Sequence, residues 1–110
     1  MKLPNFERAI VDIEKLRNYC LSPEHPRGRN KARVFEAVLG FTDRNAEELR
    51  NALLSATRNN EAVPTEVDEY GQRYVLDFVI TGTAGWGHIR SSWIIRHGED
   101  FPRLTSCYVL

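Results

Sequence analysis

The hydrophobic pattern of the chain changes period once, near residue 60. Before that point apolar residues recur every three or four positions, the spacing of amphipathic helices. Ile13, Leu16 and Cys20, with Tyr19 beside them, predict a first helix with Asp12 as its N-cap. Residues 7–11 read as a short strand or extended lead-in to it. Pro23 stops this helix, and Ser22-Pro-Glu-His-Pro is a loop because a residue before proline avoids the α region. A second helix starts near Arg29, runs through Val34, Phe35, Val38 and Leu39, and ends at Gly40, a residue suited to a left-handed C-terminal cap. A third begins after Thr42 or Asn45 and carries the stripe Ala46, Leu49, Leu53 and Ala56. Glu47 and Glu48 in its first turn and Arg58 in its last complement the helix dipole, and Asn59-Asn60 closes it.

Beyond residue 60 the period is two. Residues 62–70 are β-like but acidic and interrupted by Pro64, which suits an edge strand, and Gly71 turns the chain. From Gln72 to Ile80, Tyr74, Leu76, Phe78 and Ile80 alternate with Arg73, Val75, Asp77 and Val79. Thr81-Gly-Thr-Ala-Gly-Trp-Gly reads as a glycine-rich turn; no helix follows it, as a phosphate cradle would require. Residues 88–96 place Ile89, Ser91, Trp93 and Ile95 on one side and His88, Arg90, Ser92, Ile94 and Arg96 on the other. After a turn at His97-Gly-Glu-Asp-Phe-Pro, strict alternation sets Leu104, Ser106 and Tyr108 opposite Arg103, Thr105, Cys107 and Val109.

The expected fold is α+β in one domain, residues 1–110. Two or three N-terminal helices, within about 12–59, pack on one face of a C-terminal antiparallel β-meander of about four strands, within about 62–109. Their apolar stripes need the face bearing Tyr74, Leu76, Phe78, Trp93, Ile95 and Leu104. The other face is left open, with Arg73, Asp77, His88, Arg90, Ser92, Arg103 and Thr105 on it.

Composition narrows the function classes. At 110 residues, 42% hydrophobic and 27% charged, the chain has the makings of one globular core and not of a disordered segment. No apolar stretch approaches the roughly 20 residues of a membrane helix, and Met-Lys-Leu-Pro-Asn-Phe-Glu is no signal core. Two cysteines are too few for a disulfide framework or a zinc cluster, so a cytoplasmic protein with free thiols is expected. Cys20 belongs to the core and Cys107 to the opposite sheet face, an arrangement that separates them. The net charge of zero weighs against a surface that is basic throughout. Charge is unevenly placed, however: residues 27–33 hold Arg27, Arg29, Lys31 and Arg33 with no acid between. Such a run is ordinarily a solvated helix face; a phosphate-facing patch is the sharper reading.

No histidine pair or cysteine pair has metal-ligand spacing, and hydrolase, nucleotide and dinucleotide motifs are missing, so no metal or cofactor is expected. What remains suits metal-free phosphodiester cleavage, which needs a base for the ribose 2′-hydroxyl, an acid for the leaving oxygen, and cations around the phosphorane charge. His25, Lys31, His88, Arg90 and Thr105 are the candidate catalytic residues; Arg27, Arg29, Ser92, Arg103 and Trp86 are candidate substrate contacts. Each has a plainer alternative: a loop histidine, a solvated lysine, solvent-facing strand residues, a threonine present for β propensity. Trp93 belongs to the core, whereas Trp86 sits in a turn and is free to stack on a base or a partner protein.

The stretch Lys15-Leu-Arg-Asn-Tyr-Cys-Leu-Ser-Pro-Glu-His-Pro-Arg-Gly-Arg-Asn-Lys-Ala-Arg-Val-Phe, followed by Leu39-Gly-Phe, resembles an uncharacterised bacterial domain family, DUF6883-like, with an H-P-x-G-x-x-K-A core motif. Tyr70-Gly-Gln-Arg-Tyr-Val, Thr81-Gly, Arg90-Ser-Ser-Trp-Ile-Ile and Pro102-Arg-Leu-Thr-Ser-Cys-Tyr extend the resemblance over nearly the whole chain. The order of helices and meander is more distantly similar to the ribonuclease superfamily of barnase, EndoU, colicin tRNases and RelE. The resemblance marks His25, Gly28, Lys31, Arg90, Trp93, Arg103, Thr105 and Tyr108. It also implies a ribonuclease-like toxin of a toxin–antitoxin pair, with RNA and an antitoxin-like protein as partners. The chain departs from the family pattern by one extra residue between Thr105 and Tyr108, which puts them on opposite faces unless a bulge intervenes. Thr105 is therefore preferred as a site residue. Lys31 and Arg90 would bind the phosphate, His25 or His88 would move the proton, and Thr105 would position the phosphate or 2′-hydroxyl. The alternative, favoured by the neutral charge, is a non-catalytic interaction module: an antitoxin, an immunity protein or a homodimeric accessory protein. A small-molecule-binding domain using the open face is a third reading.

Overall fold

The computed structural model describes residues 1–110. Three helical segments come first: α1 (Ile13–Lys15), α2 (Arg29–Leu39) and α3 (Ala46–Asn59). Four strands follow, β1 (Ala62–Val67), β2 (Gly71–Thr81), β3 (Trp86–Arg96) and β4 (Arg103–Val109), forming one antiparallel sheet in the order β1-β2-β3-β4. Helices cover one sheet face and the other is open, as the change of period implies.

The local signals act as their chemistry predicts. The Asp12 carboxylate accepts the Glu14 N–H at 3.0 Å and caps α1. Gly40 ends α2 at φ 73°, the left-handed conformation that costs glycine least. Thr42 caps a 3₁₀ turn, Asp43–Asn45, that runs straight into α3, so both predicted starting points are real. Two details differ. Residues 7–11 form no strand: Phe6–Arg8 is a 3₁₀ turn, and only Ile10 makes a bridge, parallel to Arg103. The first helix widens after one turn into a π turn, Leu16–Cys20, closed by Leu21 N–H donating to the Leu16 carbonyl at 2.9 Å.

The strands extend further than alternation alone predicts. Trp86 is the first residue of β3, paired with Thr81, so the turn is confined to residues 82–85. Ala84 N–H donates to the Leu39 carbonyl, and this turn thereby seals the C-terminus of α2. In β4 the register shifts between Trp93↔Leu104 and Ser92↔Ser106, making Thr105 a bulge residue. The bulge reverses the predicted facing of everything after it. Cys107 pairs with Ser91 and is fully buried, while Ser106 and Tyr108 lie opposite Ser92 and Arg90 on the open face. The expectation that Cys20 and Cys107 lie on different sides of the sheet is therefore wrong, and both sit in one core.

That core brings Leu16, Phe35, Leu39, Leu49 and Leu53 from the helices against Leu76, Phe78, Ile89, Trp93 and Leu104. Burial of the Trp93 ring demands a partner for its indole N–H. Ser91, two residues earlier on the same face, accepts that hydrogen at 2.9 Å and donates its own to the Leu76 carbonyl at 2.6 Å. At the other end of the core, Gly28 presses on the π turn so closely that an added Cβ would overlap the Tyr19 carbonyl.

Two stability predictions follow from these contacts. Ser91→Ala strands a buried indole N–H and should cost about 1–3 kcal/mol in urea unfolding; a change within about 0.5 kcal/mol, the range of an ordinary surface substitution, would show the bond to be dispensable. Gly28→Ala forces backbone against backbone and should cost about 1–3 kcal/mol, the usual range for overpacking. Wild-type stability in that variant would mean that α2 swings away from Tyr19 freely.

Candidate functional site

Lys31 is the junction of the site. It lies on α2, three residues past Gly28, and its ammonium group reaches over the outer edge of β4. There it donates to Ser106 Oγ at 3.1 Å and to Tyr19 Oη at 3.2 Å. It also lies 5.0 Å from the Tyr19 ring centroid and 5.6 Å from that of Tyr108. Both distances are within reach of a cation–π attraction. No carboxylate lies within 4.0 Å of it, although Arg8, Arg17, Arg73, Arg90 and Arg103 are all ion-paired. Lys31 is thus a half-buried cation held by neutral oxygens and aromatic faces.

His25 supports this arrangement from behind. Its Nδ1 accepts the backbone N–H groups of Arg27 and Gly28 at 3.0 and 3.1 Å, satisfying donors at the start of α2. Its ring leans on Tyr19 at 4.8 Å. An Nδ1 that accepts two hydrogens carries none, so neutral His25 has its proton on Nε2 and presents a donor. In this geometry His25 positions Tyr19 and the α2 terminus.

Across the open face, Arg90 forms a two-pronged pair with Asp77, Nε to Oδ1 at 2.9 Å and Nη2 to Oδ2 at 2.8 Å. Asp77 raises the Arg90 pKa above its already high ordinary value. Tyr108 pairs with Arg90 across the β3–β4 ladder and faces Lys31 with its ring, so it stands between the two cations. His88, two residues before Arg90 on the same face, is exposed, with its ring edge-on to Trp86 at 5.6 Å. Trp86 is 62% exposed at the end of this row. Two shallow clefts run beside it, of about 370 Å³ (Glu61, Val63, Thr65, Val75, Asp77, Arg90) and about 380 Å³ (including Arg73, Ser92, Thr105 and Ser106).

The other candidates divide. Ser92 lines the second cleft, and its carbonyl accepts the Thr105 hydroxyl at 3.1 Å, which makes Thr105 a clamp for the bulge. The hydroxyl that meets Lys31 is that of Ser106, a position that strict alternation hides in the core. Arg103 is committed to its turn, gripping Glu99 with two bonds of 2.9 Å and lying 4.9 Å from the Phe101 ring centroid. The guanidinium holds the Glu99 carboxyl below its ordinary pKa. Arg29 stands about 200° around α2 from Lys31, and lines a separate cleft of about 290 Å³ with Arg33 and Asp43. Arg27 is exposed in the loop. The residues that sequence reading missed are Tyr19 and Ser106, and Tyr108 is more central than Thr105. A signal for them exists: Leu104 and Cys107, both apolar and three apart, fit one face only if a bulge lies between them.

No group of three or more His, Cys, Asp or Glu side chains is arranged to hold a metal ion. No helix is long and apolar enough to cross a membrane.

Comparison with known proteins places the chain. No curated protein matches it. Among solved structures, a chain of the contact-dependent growth inhibition toxin–immunity protein complex from Klebsiella pneumoniae 342 superposes with a TM-score of 0.68. The alignment covers 92% of this chain and 99% of that one at 19% identity, and the two share a fold. The model of the domain of unknown function DUF6883 matches residues 2–110, and the chain belongs to that family.

Proposed function

We propose that the chain is a metal-independent ribonuclease domain of the toxin type, with Lys31 at its phosphate site. One observation carries this reading: a half-buried ammonium group with two hydroxyl partners, two aromatic walls and no counter-ion. Burying a cation without an anion is unfavourable, and a bound phosphate oxygen would supply the missing charge. Arg90 lies on the far side of Tyr108 and provides the second cation. Its bonds to Asp77 use Nε and Nη2, so N–H groups remain for a phosphate.

In this reading Lys31 and Arg90 flank the phosphorane charge, with Ser106 and Tyr19 fixing the ammonium between them. Since His25 is occupied at Nδ1, His88 is the histidine left for proton transfer. Trp86, one alternation further along β3, offers a stacking surface to a base. The fold shared with a chain of a toxin–immunity complex supports a toxin-type role and a protein antagonist as partner.

The net charge of zero favours a second reading, a non-catalytic interaction module. The two separate on one assay. Purified protein should cleave total RNA or tRNA in EDTA, and Lys31→Ala should lower the rate by about 10²–10³-fold with an unchanged thermal melt. His88→Ala should lower kcat by about 10²–10⁴-fold while RNA binding persists. RNA left intact at protein excess, in EDTA and in magnesium alike, would remove the enzyme reading and leave the interaction module.

A further inference from the structure

We infer that Tyr19 is a further catalytic residue of the Lys31 site, the acid whose phenol proton goes to the leaving oxygen. The inference rests on the ribonuclease reading. That reaction needs two proton carriers, a base for the 2′-hydroxyl and an acid for the 5′-oxygen, and His88 fills only one of the two places.

The geometry around Lys31 points to the other. An ammonium group has three donors and no acceptor. Tyr19 Oη, 3.2 Å from Lys31 Nζ, therefore receives a hydrogen from the lysine and keeps its own directed away from it. Ser106 Oγ, 3.1 Å from the same nitrogen, is in the same position. Neither hydroxyl hydrogen has an acceptor within the protein, and both residues are partly exposed. Of the two, a phenol is by far the stronger acid, and phenols still carry their proton at neutral pH.

Tyr19 is also held where an acid is needed. Gly28 packs on its carbonyl, and the His25 ring leans on its ring at 4.8 Å. Its hydroxyl meets Lys31 over the outer edge of β4, whereas His88 stands on β3, the strand on the other side. A phosphate between Lys31 and Arg90 then has a proton carrier on each flank. In-line displacement requires this, because the attacking and leaving oxygens lie on opposite sides of phosphorus.

The step balances without a co-reactant. The 2′-oxygen bonds to phosphorus as its proton passes to the His88 imidazole. The P–O5′ bond breaks, and the Tyr19 proton passes to O5′. The products are a 2′,3′-cyclic phosphate and a 5′-hydroxyl end. An imidazolium and a phenolate remain, and water restores both by taking one proton and returning one. The negative charge that Oη takes on lies beside the ammonium that already donates to it.

The test exchanges the leaving oxygen for sulfur. A thiolate leaves without a proton, because thiols are far stronger acids than alcohols. An RNA oligonucleotide with a 5′-bridging phosphorothiolate at the linkage that the wild type cuts has no need of an acid, and the same oligonucleotide with oxygen there is the reference. Tyr19→Phe keeps the ring and removes one oxygen. It should cut the all-oxygen RNA about 10²–10⁴-fold more slowly than wild type, and the sulfur-linked RNA at the wild-type rate. Lys31→Ala should be slow on both, because the phosphorane charge is the same whichever atom leaves. An equal loss in Tyr19→Phe on the two substrates would make the hydroxyl a support for Lys31 and overturn the inference, as would full activity on both. Wild-type protein that cuts no RNA would remove the ribonuclease reading and the Tyr19 role with it. Where Tyr19→Phe fails to fold, fluorotyrosine at position 19 keeps the hydroxyl and makes it more acidic. The alkaline limb of the pH–rate profile on all-oxygen RNA should then move to lower pH, and a limb that stays in place would overturn the assignment.

Discussion

The contact on which the rest of the site depends is the packing of Gly28 against the Tyr19 carbonyl. It leaves no room for a Cβ, and it fixes where α2 begins relative to the π turn. His25 sets the direction of that start by accepting two of its backbone N–H groups, and leans on the ring of Tyr19 while doing so. Lys31, one turn on from Gly28, then arrives within hydrogen-bond distance of the Tyr19 hydroxyl. Ala32 beside it turns into the core. The spacing H-P-x-G-x-x-K-A is thus one mechanical unit in which a cap, a close approach, a presented cation and a buried face occupy a single helical start.

The second constraint is the bulge in β4. Because side chains alternate along a strand, one extra residue sends every later side chain to the opposite face. Thr105 absorbs that residue, tied by its hydroxyl to the Ser92 carbonyl. The result places Cys107 in the core that also holds Cys20, and Ser106 and Tyr108 where Lys31 meets them. Without the bulge Thr105 and Cys107 would stand on the open face in place of Ser106 and Tyr108. The polar site and the burial of Cys107 are consequences of the same register shift, seen from the two faces of one strand.

The period change near residue 60 made the fold legible, since helical stripes and alternating strands each demand one buried face and the chain offers only one sheet. Gly40, Asp12 and Thr42 disclosed the helix ends because capping is local chemistry. Arg90, His88 and Ser92 were legible as an open-face set from side-chain type and parity, while Lys31 stood out in the charge run of residues 27–33 and Trp86 as an exposed aromatic in a turn. The hidden features are those fixed by contacts distant in sequence. Nothing near Ser106 announces that α2 will reach it. Glu99 is only four residues from Arg103, yet which acid takes that charge depends on how the turn between them folds, and strict alternation misplaces Cys107 because a bulge is a property of a strand pair. His25 was found by its motif but given a chemical role, and only its bonds to Arg27 and Gly28 reveal a structural one.

The neutrality of the chain bears less on its partner than composition implies. Exposed charges separated by more than about 8 Å are largely screened at physiological salt, so a phosphate bound at Lys31, as proposed, would respond to its neighbourhood and not to the sum over 110 residues. Most of the arginines near the open face are answered by a nearby acid: Arg73 by Asp68, Arg90 by Asp77, Arg103 by Glu99. Those pairs cancel in the total and also limit non-specific attraction to polyanions. Lys31 has no such acid, and its neighbours are two tyrosines and a serine, groups that stabilise an ammonium without neutralising it. A compact ammonium suits this enclosure better than a planar guanidinium would, because it donates to oxygens and meets ring faces in several directions at once. One ammonium without a counter-ion, beside arginines that are paired with acids, is the electrostatic form this sheet face has taken.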